Sequence, residues 1–148
     1  MYPSTLISLF AATLASGMAL RPEVLERAAP SITPIIHTCW NTGEKWGAQG
    51  GLAMNFAAEA CNEAFVGTSG SRTWQAGDEI ERCYNLDSDK MVDFTIINEN
   101  SGPATLTSDD CYTYLKKQIH GCGQGGYQKN AGFQFKADPN SGQCATNN

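Results

Sequence analysis

Six cysteines constrain the fold of this chain more than any other feature of its sequence. Their number is even, and no two of them have the C-x-x-C spacing. Behind an N-terminal export signal, such a set is typical of a small fold that disulfides hold together. Only two histidines accompany them, so we expect no zinc site and no other metal or cofactor. The six are Cys39, Cys61, Cys83, Cys111, Cys122 and Cys144.

The export signal is an uncharged apolar stretch near the N-terminus, at residues 6–20. It is shorter than the roughly 20 apolar residues that a transmembrane helix needs. Small residues just before position 20 complete a signal-peptide pattern, and a first core helix is the alternative interpretation. We predict a signal peptide at 1–19, a charged spacer or pro-segment at 20–30, and one disulfide-stapled domain at 31–148. The mature protein is then expected to be secreted and extracellular.

The chain is acidic, with 15 acidic and 10 basic residues and a net charge of −5. Nucleic-acid binding needs a basic stripe that neutralises phosphates, and anionic membrane surfaces likewise attract basic segments. We therefore expect neither nucleic acid as a partner nor insertion into a membrane. The acidity selects no partner by itself.

Two helices are predicted from the spacing of apolar residues. The first covers about residues 48–65, because apolar residues recur there at every fourth position and Gly67 follows as a stop. The second begins after an N-cap at Thr107 or Ser108 and ends at Gly121. The recurring apolar positions of the first helix are Leu52, Phe56, Ala60 and Ala64.

Four strands are predicted around these helices. In the third of them, Val92, Phe94 and Ile96 alternate with polar residues, which is the period of a half-buried antiparallel strand. A tight-turn composition separates the second strand from the third and indicates a hairpin. The four strands are expected at residues 34–39, 79–86, 90–98 and around 133–135.

The element order β-α-β-β-α-β predicts an α+β fold, the split plait, with two helices on one face of an antiparallel four-stranded sheet. In that topology the end of the first strand and the end of the second helix lie at one pole. The start of the second helix and the C-terminal tail lie at the other. This arrangement selects one set among the pairings that six cysteines allow. The three predicted disulfides are Cys39–Cys122, Cys61–Cys83 and Cys111–Cys144.

Several short motifs combine cysteines with glycines, aromatic residues or acidic residues. They include Cys39-Trp40, Arg82-Cys83-Tyr84, Asp110-Cys111, the glycine-rich run His120–Gly126 and the run Ala137–Cys144. Over roughly residues 38–144 these motifs resemble small secreted fungal cysteine-rich proteins of the glycan-binding, killer-toxin-like group. That group includes a mushroom lectin and effector-like relatives. The resemblance implies an α/β sandwich and a role in recognition, and the matching motifs are structural, so no sugar-contacting residue follows from them.

Two aromatic residues lie in polar, glycine-rich segments, Trp74 and Tyr127. Exposed aromatic rings stack on the apolar faces of sugars and also dominate protein interfaces. We expect Tyr127 in particular to anchor an extracellular glycan or a host or competitor surface protein, because several amides surround it. Trp74 has the alternative role of covering the end of the first helix. The ligand-binding candidates are Tyr127, Gln124, Gln128, Asn130 and Trp74.

The preferred function is therefore a secreted recognition protein, lectin-like or effector-like, with a killer-toxin-like or antimicrobial role as the alternative. A small secreted hydrolase such as a ribonuclease is the third interpretation. It would use His37 and His120 as an acid–base pair, with Glu79 or Glu81 and Arg82 beside them. However, His120 also suits a helix C-terminus, and no nucleophile elbow is present. We expect no catalytic residue.

Overall fold

Alternating apolar residues build a sheet in the computed structural model, which describes residues 36–145. The strands are β1 (Ile36–Cys39), β2 (Ser71–Trp74), β3 (Glu79–Asn85), β4 (Lys90–Asn98), β5 (Ala104–Thr107), β6 (Gly126–Asn130) and β7 (Phe133–Ser141). The main sheet has five of these strands in the order β1-β6-β7-β4-β3, and every neighbouring pair is antiparallel. Strands β2 and β5 form a separate two-stranded ribbon.

Two helices lie where the apolar spacing predicts them. Helix α1 (Gly50–Ala60) follows a 3₁₀ turn and continues as a π-helical turn over Cys61–Phe65. Helix α2 (Ser108–Gly121) begins at an N-cap, Thr107, whose hydroxyl accepts a hydrogen bond from the Asp110 backbone N–H at 3.1 Å. This cap satisfies one of the free N–H groups at the helix start.

Both helices pack on one face of the main sheet, which we call the inner face. Alternate residues of β4 and β7 point into this layer, as the period of two requires. The opposite side of the sheet, which we call the outer face, carries the intervening polar residues. The buried cluster between sheet and helices includes Val92, Phe94, Ile96, Phe135, Ala137, Ala53, Ala57, Ala60, Leu115 and Ile119.

The predicted α+β class, with two helices, an antiparallel sheet and three disulfides, is confirmed, but the main sheet has five strands instead of four. The additional strand is β6, which the sequence predicts as part of a glycine-rich loop. Its glycines serve close approach between strands. A Cβ on Gly126 would collide with the backbone of Thr38, and one on Gly125 would collide with the backbone of Ala137.

The disulfides are Cys39–Cys122, Cys61–Cys111 and Cys83–Cys144. The first is the predicted one, whereas the predicted pairs Cys61–Cys83 and Cys111–Cys144 are wrong. Cys83 pairs in register with Asp93 and lies on the outer face, away from Cys61, and its bonded partner Cys144 belongs to the C-terminal segment. Cys61 and Cys111 are both buried where the helices meet, which explains their bond.

The described residues all belong to one compact unit. None of the helices within residues 36–145 is long and apolar enough to span a bilayer. The predicted signal peptide and spacer lie outside the described residues, so secretion stays a prediction.

Candidate functional site

Trp74 is a core residue and not an exposed anchor. Its side chain is 0% exposed and makes an edge contact with Phe133, with ring centroids 6.1 Å apart. The backbone around it is fixed by the buried Asn98, whose Nδ2 donates to the Trp74 carbonyl at 3.1 Å. The sequence predicts a polar loop here, but the β2–β5 ribbon places Trp74 at its inward position. The expected ligand contact through Trp74 is therefore wrong.

The three amide candidates do not form one ligand site. Gln128 is 1% exposed on the inner face, where its Oε1 accepts from Gln118 Nε2 at 3.4 Å. Gln124 Nε2 donates to the Gly43 carbonyl at 2.8 Å and ties the glycine-rich run to the segment before α1. Asn130 is half-buried and also lies on the inner side of β6. The strand alternation turns Gln128 and Asn130 away from Tyr127, and the side chain of Gln124 is bonded to Gly43.

Tyr127 lies on the outer face and is half-exposed. In register it stands between Thr38 of β1 and Lys136 of β7. Directly opposed residues of antiparallel strands have Cβ atoms about 4.5–5.5 Å apart, so these side chains are neighbours. Tyr127 thus has a threonine as its neighbour on one strand and a lysine on the other.

The row that contains Tyr127 crosses the entire sheet. It continues beyond Lys136 through Thr95 of β4 to Glu81 of β3. Lys136 takes part in neither of the two ion pairs that the described residues form, which are Lys90–Glu44 and Lys129–Glu99. No helix or strand within residues 36–145 packs over this row, because both helices lie on the inner face. The outer face around Tyr127 is therefore a largely polar platform with one aromatic ring, although Thr95 in the same row is only 5% exposed. The C-terminal segment with Cys144 lies over the β3 side of this face.

The sequence contains one indication of this platform, which is the alternation of side chains along β6. Tyr127 and Lys129 point to one face while Gln128 and Asn130 point to the other. Gly125 and Gly126 precede this alternation, and glycine is depleted in strands, so the sequence indicates a loop here instead of a strand. The partners of Tyr127 across the strands follow only from the register.

Both histidines lie beside one groove of about 450 Å³ at the opposite side of the sheet layer. The groove runs between helix α2 and the inner side of β1. Glu79 and Glu81, which a ribonuclease-like site would add, are on β3 at the far edge of the sheet. Four strand spacings of about 4.8 Å separate the two edges. The structure therefore does not bring the sketched hydrolase residues together.

One group of three potential metal ligands occurs among the described residues: His37, Cys39 and Cys122. The two cysteines are bonded to each other, and the His37 Nε2 lies 3.3 Å from the Cys122 Sγ. A disulfide sulfur is not a thiolate, which is the form that binds zinc. This group is therefore not a zinc site in the oxidised protein.

The chain is thus a small disulfide-stapled α+β domain with one aromatic ring on the sheet face opposite its helices. Comparison with known proteins agrees with this class. The family model described as glycan binding domain Y3 matches residues 54–144. The chain is also similar to "Antiviral protein CAP" from Coprinus comatus, with 35% identity over 88 residues, which are 56% of this chain and 86% of that protein. The chain belongs to the glycan binding domain Y3 family, and the fungal resemblance read from its motifs is confirmed.

Proposed function

We propose that this protein binds glycans on the outer face of its sheet, with Tyr127 as the aromatic anchor. The observation that carries the proposal is the position of Tyr127, half-exposed on the sheet face that neither helix covers, in a chain of a glycan-binding family. A pyranose ring presents a patch of C–H groups that stacks on an aromatic face. The hydroxyls at the rim of the sugar then need polar partners.

Those partners surround Tyr127 in the register of the sheet. Thr38 offers a hydroxyl, which both donates and accepts, and Lys136 offers three N–H donors. Gln134, two positions before Lys136 along β7 and in the next row of the same face, adds an amide. A flat platform of this kind suits an extended saccharide better than a small molecule, which favours a deep cavity.

The direct test is a glycan array probed with the purified protein and its variants. Tyr127→Ala should weaken binding to the recognised glycans by about tenfold or more, because a central aromatic anchor typically contributes that much. Tyr127→Phe should retain most of the binding, since the ring remains and only the hydroxyl is lost.

The matched control is Leu52→Ala, which removes another exposed apolar side chain, 40% exposed on helix α1. It should bind as the wild type does. The proposal is wrong if Tyr127→Ala keeps the wild-type melting temperature and the wild-type glycan profile.

We propose further that the protein acts outside the cell. The support is the three disulfides, since such bonds form and persist in oxidising compartments. Expression in a fungal host should deliver the protein to the medium, with an N-terminus at residue 20 or later. N-terminal sequencing checks this, and retention of the chain in the cell with Met1 intact would contradict it.

The word antiviral belongs to the name of the Coprinus comatus relative. For this chain we propose the recognition step and its non-catalytic character. A protective, toxic or effector role would each require that step first.

A further inference from the structure

A second surface of the molecule is bordered by basic side chains. It is the groove between helix α2 and β1, which we call the basic groove. Two lysines and both histidines of the chain border it, and no acidic residue does. An adjoining groove of about 490 Å³ shares His120 and adds Lys45, again with no acidic residue in its lining. In a chain with a net charge of −5, these basic residues are thus grouped on one surface, apart from the acidic ones.

The basic groove exists because the sheet is wider than the helix layer. Helix α2 packs over β6 and β7, while the inner side of the edge strand β1 stays exposed at His37 and Cys39. Residues spaced by four along α2 face this open edge, namely Tyr112, Lys116 and His120. The disulfide Cys39–Cys122 holds the end of β1 against the end of α2, so the two walls are fixed relative to each other.

The cations of this groove have no anionic partner within the described residues. Lys116 and Lys117 take part in neither of the two ion pairs formed there. Lys116 Nζ lies 5.7 Å from the ring centroid of Tyr112, which keeps the ammonium group over the groove wall. Lys117 Nζ lies 4.9 Å from the ring centroid of Tyr114, a residue outside the groove lining, so Lys117 borders the groove and would turn towards a bound anion. The exposed Asp109, on the first turn of α2, lies almost two turns before Lys116. A negative group that enters the groove would meet uncompensated positive charge.

We propose that the basic groove binds the anionic group, a sulfate or a carboxylate, of an acidic saccharide. Lys116 and Lys117 would donate charge-assisted hydrogen bonds to that group. Tyr112 would stack on the sugar ring that carries it, and Thr113 would bond a ring hydroxyl. This is a surface separate from the outer face, and it rests on the proposed function only in taking the ligand to be a saccharide.

The dimensions favour a saccharide over a nucleic acid. A groove of about 450 Å³ accommodates one or two sugar rings and falls within the range of small-ligand sites. A nucleic-acid backbone needs cations along a longer stripe, and it would approach a chain with a net charge of −5. RNA binding is therefore an outcome that the experiment must exclude.

The experiment measures binding of three saccharides to the full-length protein by calorimetry at low and physiological salt. The probes are a heparin-derived hexasaccharide, a hexamer of galacturonic acid and the neutral chitin hexamer, with a short single-stranded RNA as a fourth arm. The sulfated and uronate probes separate the two sources of negative charge. Binding of at least one of them should weaken as salt rises, because the contact is electrostatic.

Charge-matched variants locate the site. Lys116→Gln with Lys117→Gln should weaken binding of the acidic probe by about tenfold or more, since hydrogen bonds to charged groups are among the stronger ones. Arg72→Gln with Arg82→Gln removes the same net charge from exposed positions elsewhere, and its affinity should stay within about twofold of the wild type. Tyr112→Ala should also weaken binding. All variants are checked for an unchanged melting temperature.

Three results would overturn the proposal. They are equal weakening in both charge-matched pairs, tighter binding of RNA than of either acidic saccharide, and failure of the wild type to bind any acidic probe. Glycan binding that depends on Tyr127 tests the outer face, whereas binding that depends on Lys116 and Lys117 tests the groove. The two proposals therefore fail separately.

Discussion

Two carboxylates oppose each other on the outer face, Asp93 of β4 and Asp138 of β7. The pKa of Asp138 is raised, first because burial disfavours its charged form and also because Asp93 is negative nearby. Lys136 and Asn140 oppose the shift, and Asn140 Nδ2 also donates to Asp93 Oδ2 at 3.0 Å. Ionised Asp138 is therefore a local cost to folding, because directly opposed like charges destabilise a sheet.

Asp138→Asn should raise the melting temperature at pH 7. A carboxyl group with a raised pKa in the folded state binds its proton more tightly there than in the unfolded chain. Its cost to stability is full above the folded-state pKa and disappears as the pH falls towards the unfolded value of about 3.9. The stabilisation by Asp138→Asn should accordingly shrink between neutral pH and pH 4.

Melting curves of wild type and variant over that pH range check the prediction. Glu79→Gln, which removes an exposed carboxylate at the sheet edge, controls for the loss of one charge. A stabilisation by Asp138→Asn that stays constant with pH, or a loss of stability at pH 7, would show that the pKa of Asp138 is not the cause.

The sequence favoured Tyr127 over Trp74 because of the amides near Tyr127, but Gln128 and Asn130 point to the opposite face of the sheet. Composition places both Trp74 and Tyr127 among glycines and polar residues. Whether each side chain is exposed depends on the face to which it points. That face depends on strands that the glycine-rich sequence does not indicate. Tyr127 falls on the outer face of β6, whereas Trp74 falls on the inward position of β2. The secondary-structure propensity of a residue does not indicate the face of the sheet to which its side chain points.

The two helices are joined by a disulfide that is also part of the core. Cys61 and Cys111 are 0% exposed, and the bridge lies where α1 and α2 pack together. The bridge Cys83–Cys144 is half-exposed and fastens the C-terminal segment across the outer face. The two bridges span similar chain lengths, 50 and 61 residues. Loop-closure entropy alone therefore predicts nearly the same contribution from each.

Replacing the buried pair should cost more stability than replacing the half-exposed pair. Cys83→Ala with Cys144→Ala should lower the free energy of unfolding by about 2–4 kcal/mol. Cys61→Ala with Cys111→Ala should lower it by a further ~1 kcal/mol or more, because removed sulfur atoms leave space in a packed core. Urea unfolding of both double variants measures the difference. Equal losses would mean that the core closes around the missing sulfurs.

The helices were predictable because their signals are local. Thr107 caps α2 as expected, and α1 lies within the predicted range. The predicted apolar face of α1 is partly wrong, because Ala53, Ala57 and Ala60 are its buried residues and Leu52 is exposed. The strand β6 was not predictable in the same way. Its glycines are required by contacts with the backbones of Thr38 and Ala137, which are distant along the chain. The two wrong disulfides have a related origin, since Cys83 points to the outer face of β3, away from the helix side where Cys61 lies.

At the scale of the whole molecule, the fold separates two surfaces of different character. The helices cover one face of the sheet and leave the other as a platform with Tyr127. The width of the sheet beyond α2 leaves the basic groove at the β1 edge. The first of these surfaces follows from the predicted α+β class, because helices on one face of a sheet leave the other face open. The second depends on a fifth strand, which widens the sheet.

The central claim is that glycans bind the outer face around Tyr127. Amide chemical-shift mapping tests it most directly, with a titration of the isotope-labelled protein by the glycan that binds most tightly on the array. We expect the largest shifts at Thr38, Tyr127, Lys136 and Thr95, which form one row across the sheet. Shifts confined to helix α2 and the basic groove, with the outer row unchanged, would contradict the claim.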